Sequence, residues 1–118
     1  AGAAMMVIEG VPEPVARRVC DATTLITIGI GASPACDGQV LVMHDMLGLT
    51  KSPARFVKDF TRDLPEDDAT GGVLERALRR FVQEVAEGRF PEAAHVYAAA
   101  STESAAYGSN PSNAAAGA

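Results

Sequence analysis

Basic residues are scarce in this 118-residue chain, with ten Lys and Arg against fifteen Asp and Glu and a formal net charge of −5. Nucleic-acid binding draws on concentrated positive charge, and the basic runs here go no further than pairs such as Arg79-Arg80, so no nucleic-acid partner is expected. Long apolar runs are missing too. Nothing approaches the roughly 20 consecutive apolar residues of a membrane helix, and no basic segment with an apolar stretch behind it opens the chain. The expectation is a soluble protein without a membrane partner. Cysteine is limited to Cys20 and Cys36, too few and too far apart in sequence for a CxxC metal clip or a disulfide framework, which favours a reducing compartment. No nucleophile elbow, P-loop or fixed-period repeat occurs, and His44 and His95 do not form the HExxH pair of a zinc site.

What remains is 47% hydrophobic, enough for the core of one compact domain. Met5-Met6-Val7-Ile8 is a short apolar run closed by Glu9 and Gly10, as expected of a strand buried on both faces. Pro12 suits the first turn of a helix, along which Val15, Ala16, Val19 and Cys20 recur at helical spacing while Arg17, Arg18 and Asp21 face elsewhere. Leu25-Ile26-Thr27-Ile28-Gly29-Ile30, rich in β-branched residues and stopped by Gly31, reads as a second buried strand. Strand, helix and strand make a βαβ unit. The opening Ala-Gly-Ala-Ala-Met-Met reads as the interior of a longer polypeptide.

Beyond the small-residue loop at 31–35, Val40-Leu41-Val42-Met43 is expected as a third strand ending in His44-Asp45, with a helix as the rival reading. Ser52-Pro53 supplies an N-cap and a first-turn proline for a short helix facing inward through Phe56, Val57, Phe60 and Leu64. Leu74, Ala77, Leu78, Phe81, Val82 and Val85 form the clearest helical stripe, opposed by Glu75, Arg76, Arg79, Gln83, Glu84 and Glu87 and ended by Gly88. A Glu75–Arg79 pair is expected on its polar face. Residues 1–97 are taken as the folded part and 98–118, dominated by Ala, Ser, Gly and Asn, as a disordered tail with too little apolar surface to offset its ordering entropy.

Glu9 is the foremost candidate for chemistry. A carboxylate at the C-terminal end of a buried parallel strand stands where α/β barrels carry catalytic groups, and burial there would make it a stronger base. The structural alternative is a carboxylate that caps the following helix or pairs with an arginine. Gly29 and Gly31 suggest a dinucleotide loop, but Pro34 stands at the third glycine's place and close backbone packing is the better reading. His44 and Asp45 are expected to anchor a loop rather than ligate a metal together, Asp37-Gly38 to form a turn, and Asp63, Glu66, Asp67 and Asp68 to form a solvated acidic loop.

Three segments taken together, Val7-Ile8-Glu9-Gly10-Val11-Pro12, Thr27-Ile28-Gly29-Ile30-Gly31-Ala32 and the run Asp37-Gly38-Gln39-Val40-Leu41-Val42-Met43-His44-Asp45-Met46-Leu47-Gly48, resemble the last part of the ketopantoate hydroxymethyltransferase family. Arg55-Phe56-Val57-Lys58 and Gly88-Arg89-Phe90-Pro91 continue the resemblance, which extends from about Ala3 to His95. It implies an α/β fold that is part of a (βα)8 TIM barrel, with the strands similar to the sixth, seventh and eighth and with closing helices after them. It further implies transfer of a hydroxymethyl group from 5,10-methylenetetrahydrofolate to 3-methyl-2-oxobutanoate, giving ketopantoate in pantothenate biosynthesis, with Mg2+ gripping the keto acid. Glu9 matches the glutamate regarded as the base. The metal-binding aspartates of the family, and the lysine and glutamate that help hold substrate, come from earlier strands, and neither Asp37 nor Asp45 matches them. A homo-oligomer in the cytoplasm or mitochondrion is implied for the complete protein.

A full barrel takes about 250 residues, so this chain would supply under half of one. Three parallel strands cannot close, and their edges would leave backbone groups unpaired. The isolated polypeptide is therefore expected to fold poorly, to aggregate, or to pair with a missing half. A non-catalytic barrel fragment acting in assembly is the alternative from another class, and a different barrel acting on α-keto acids is a third.

Overall fold

The computed structural model describes residues 1–64 and 71–99, so Glu66, Asp67, Asp68 and nearly all of the expected tail lie outside the described residues. Strands β1 (Met5–Glu9), β2 (Ile26–Ile30) and the short β3 (Gly38–Gln39) form a parallel sheet in the order β1-β2-β3. Helix α1 (Glu13–Ala22) connects β1 to β2. The register sets Met5 beside Ile26, Val7 beside Ile28 and Glu9 beside Ile30, and then Ile28 beside Gly38.

The βαβ reading holds, for a visible reason. Met6 and Ile8 alternate onto one face of β1 and pack with Val11, Ala16, Val19, Cys20, Ala32 and Cys36. The opposite face is open along β1 among the described residues: Met5, Val7 and Ile26 are all more than half exposed and Glu9 closes that row, while Ile28 and Ile30 beside them are half-buried and buried. β1 is thus buried on one face instead of the two that its continuous apolar character suggests. Val15 of α1, expected on the apolar stripe, is exposed for the same want of a neighbour.

The third strand is displaced from its expected place. Pairing stops at Gln39, apart from a Val40 N–H bond to the Gly29 carbonyl (3.0 Å), and α2 (Met43–Met46) occupies the end of the apolar run. Leu41 and Met46 are buried while Val40, Val42 and Met43 are exposed, so the run is buried on one side only and not on both as its continuous apolar character suggests.

The helix expected after Ser52 is absent. Its backbone donors go elsewhere: the Phe60 N–H bonds to the Met46 carbonyl (2.9 Å), and the Asp59 carboxylate takes the Thr61 N–H (2.9 Å) and hydroxyl (2.6 Å). Such local side-chain bonds compete with the helical ladder. The apolar side chains nonetheless go inward as expected. Phe60 is fully buried and meets Phe81 and Phe90 edge-on, with ring centroids 5.4 and 5.3 Å away.

Helix α3 (Val73–Ala86) matches the long amphipathic stripe, and Gly88 follows its last turn with φ +69. Ala77, Leu78, Phe81 and Val85 join Leu41, Met46, Phe60 and Phe90 in the second cluster. The expected Glu75–Arg79 pair is present at 2.7 Å on the exposed side. Three assignments fail: Leu74 and Val82 of the stripe are 49% and 64% exposed, and Glu84, placed on the polar face by spacing, is only 2% exposed.

Candidate functional site

Glu9 is the last residue of β1, and Gly10 then turns the chain with φ +60 toward α1 while its N–H bonds to the Ile30 carbonyl (2.9 Å). That bond joins the ends of β1 and β2 into one rim. By strand alternation Glu9 lies with Met5 and Val7, on the face turned away from α1. Its carboxylate has no hydrogen-bond or ion-pair partner among the described residues, and no side chain caps α1. Neither structural alternative for Glu9, cap or arginine partner, is realised. The expected burial is not realised either: Glu9 is exposed, because nothing among the described residues covers β1 on that face.

The first-turn acid of α1 takes the structural duty instead. Glu13 accepts from Arg17 (2.7 Å) and from the buried hydroxyl of Ser33 (2.9 Å), which itself accepts the Ala35 N–H (3.0 Å). The loop after β2 is thereby tied to α1. Gly31 in that loop has φ +60, and a Cβ there would lie 2.3 Å from the Phe56 ring. At Gly29 a Cβ would lie 2.8 Å from the Gln39 side-chain oxygen and 3.0 Å from the Cys36 sulfur. Both glycines serve close packing, as expected, and the loop is filled by protein where a dinucleotide would need room.

Asp37 is likewise committed to the fold. It accepts the Thr27 N–H (2.7 Å) and hydroxyl (2.9 Å), and these bonds hold its carboxyl below the usual carboxylate value. It ends the loop, and Gly38 begins β3 rather than completing a free turn. His44 is exposed on α2. Asp45 accepts the Thr50 hydroxyl (2.5 Å) and so anchors the following loop. Among the described residues no three His, Cys, Asp or Glu side chains gather closely enough to hold a metal ion. These residues do not by themselves fit the magnesium that the resemblance implies.

Spacing did not anticipate two further arrangements. Glu84 is enclosed by Lys58 (2.6 Å), Arg80 (2.9 Å) and Arg89 (3.5 Å), and beside this group lies a polar cleft of about 480 Å³ lined by Asp45, Lys58, Asp59, Arg80 and His95. Arg80 at i−4 was the sequence signal for the pair with Glu84. The other is the approach of Cys20 to Cys36, with sulfurs 3.6 Å apart and both thiols free. Burial, and then the neighbouring Cys20 sulfur, push the Cys36 thiol up to about 11.

The family model for ketopantoate hydroxymethyltransferase matches residues 1–93. The chain belongs to the ketopantoate hydroxymethyltransferase family. Among its relatives, the 3-methyl-2-oxobutanoate hydroxymethyltransferases of Xanthomonas axonopodis pv. citri (strain 306) and Xanthomonas oryzae pv. oryzae (strain PXO99A) are each 50% identical over 101 residues. That of Xanthomonas campestris pv. campestris (strain B100) is 48% identical over the same length. In each case the match covers 84% of this chain and 35% of the relative, so the chain spans about a third of the length of these curated relatives. Ketopantoate hydroxymethyltransferases form a TIM-barrel family, and the three-stranded parallel sheet is consistent with part of such a barrel.

Proposed function

We propose that this chain contributes the sixth, seventh and eighth strands and the closing helix α3 to a (βα)8 barrel that converts 3-methyl-2-oxobutanoate to ketopantoate, and that Glu9 is its base. The supporting observation is the position of Glu9: it ends a parallel strand on the face away from α1, with no partner among the described residues. Barrel enzymes of this class carry their reacting groups at strand C-terminal ends.

In this reading the Glu9 carboxylate takes the proton from C3 of the keto acid, and the resulting enolate carbon bonds to the one-carbon unit of 5,10-methylenetetrahydrofolate. Water first opens the two C–N bonds of that unit, so tetrahydrofolate leaves with both nitrogens protonated and the enolate meets an aldehyde carbon; the alkoxide formed takes up the proton that Glu9 removed. Strands contributed from elsewhere hold the keto acid and the folate, and by covering the face of Met5, Val7 and Glu9 they desolvate the carboxylate and strengthen it as a base. The expected Mg2+ would also be held there, since the described residues gather no metal site of their own.

In the complete protein, Glu9→Gln should slow exchange of the C3 proton of 3-methyl-2-oxobutanoate with deuterated solvent by about 10²–10⁴-fold, the range for a positioned general base. An unchanged exchange rate removes Glu9 from that role.

A second reading, a non-catalytic piece acting in assembly, draws on the uncovered row of Met5, Val7 and Ile26. It requires Glu9→Gln to leave exchange untouched while substitution of Val7 by a charged residue abolishes association.

A further inference from the structure

Cys20 sits near the C-terminal end of α1, and Cys36 lies in the loop that leads from β2 to β3. The fold brings these residues, 16 positions apart, to a sulfur separation of 3.6 Å. A disulfide needs about 2.05 Å, so the two sulfurs have only about 1.5 Å to close. A cleft of about 280 Å³, lined by Cys20, Thr23, Thr27, Ala35 and Asp37 among others, opens onto Cys20 from solvent, with Cys36 behind it. Cys20 is half-buried and Cys36 buried.

We propose that Cys20 and Cys36 form a reversible internal disulfide by exchange with a small-molecule disulfide that enters this cleft. The sulfur of Cys20, the more accessible of the two, attacks one sulfur of the small disulfide. The S–S bond of the reagent breaks, a mixed disulfide forms on Cys20, and one thiolate leaves. The Cys36 sulfur, as its thiolate, then attacks the Cys20 sulfur and expels the second thiolate. Two protein thiols are oxidised, the reagent is reduced to two thiols, and the protons released by the cysteines pass to them.

Burial orders the two steps. The Cys36 thiol is held protonated at neutral pH, so it acts second and is faster in mildly alkaline solution. The product ties α1 to the loop holding Ser33 and Asp37, which leaves β2 at the same rim as Glu9. Reduced and oxidised protein therefore differ in the freedom of that loop where it returns beside Thr27. The spacing rule for cysteine frameworks misses this pair because the contact is made by the crossover helix folding onto the sheet.

The test is exposure of the complete protein, purified and fully reduced, to oxidised glutathione, followed by alkylation and peptide mapping without reductant. The expected result is a linked peptide pair containing Cys20 and Cys36, protection of both from iodoacetamide, reversal by dithiothreitol, and slower amide exchange over residues 31–37. Cys36→Ser should halt the reaction at a glutathione adduct on Cys20. Because either substitution can disturb packing, the map of the unsubstituted protein is decisive. A glutathione adduct that persists on Cys20, thiols that both remain alkylatable, or cross-links between separate chains would each overturn the proposal.

Discussion

A carboxylate removed from water on a helix is costly unless its charge is answered, and Glu84 is answered twice at close range, by Lys58 and by Arg80. Burial alone would raise its carboxyl, but the bonds and charges of those two residues outweigh it and hold the group below its ordinary value of 4.5. A depressed folded value means that the stabilisation is complete above about pH 4.5 and is lost as pH falls through the folded value. Glu84→Ala strands two cations around an empty site and should cost about 3 kcal/mol in a denaturant melt of the complete protein at neutral pH. The deficit relative to the unsubstituted protein should shrink as the solution is acidified, and a deficit independent of pH would argue against the charge account. At Gly31, φ +60 and the Phe56 ring oppose any side chain together, so Gly31→Ala should cost about 1–3 kcal/mol by the same measurement.

Among the elements, the ones legible in sequence are those whose apolar positions answer to a single neighbour. β1 and α1 share one cluster with the loop after β2, and Ile8 and Ala16 lie where the periodicity puts them. The run Val40-Leu41-Val42-Met43 is as apolar as β2, yet it divides between a strand end and α2 because only Leu41 finds the cluster around Phe60. Residues 52–64 keep the inward phenylalanines of an amphipathic helix without the helix, since Asp59 and the Met46 carbonyl claim the donors. Glu84 was hidden because a stripe drawn by hydropathy cannot see a cation arriving from Lys58, 26 residues away. Position therefore separates two acid residues of α3 that look equivalent in sequence. Glu75→Ala breaks an exposed pair with Arg79 and should cost no more than about 0.5 kcal/mol, several times less than Glu84→Ala. Equal losses would show that the surroundings of Glu84 are not dry.

For the molecule as a whole, the location of Glu9 was legible and its environment was not. Strand, glycine turn and helix fix it at the rim, but desolvation depends on what covers Met5, Val7 and Ile26, and nothing among the described residues does so. A sheet with that face bare along β1, and with β1 paired only with β2, is an incomplete cooperative unit. Alone, the 118-residue chain should lack a cooperative melt and dispersed amide signals, and a sharp monomeric transition would count against the partial-barrel account. The most direct measurement co-expresses this chain with a polypeptide encoding the first five βα units of the family and follows C3 proton exchange of 3-methyl-2-oxobutanoate. The account predicts exchange from the unsubstituted pair and none above background from a pair that assembles equally well with Glu9→Gln. Equal exchange by the two, or exchange catalysed by the companion polypeptide alone, would contradict it.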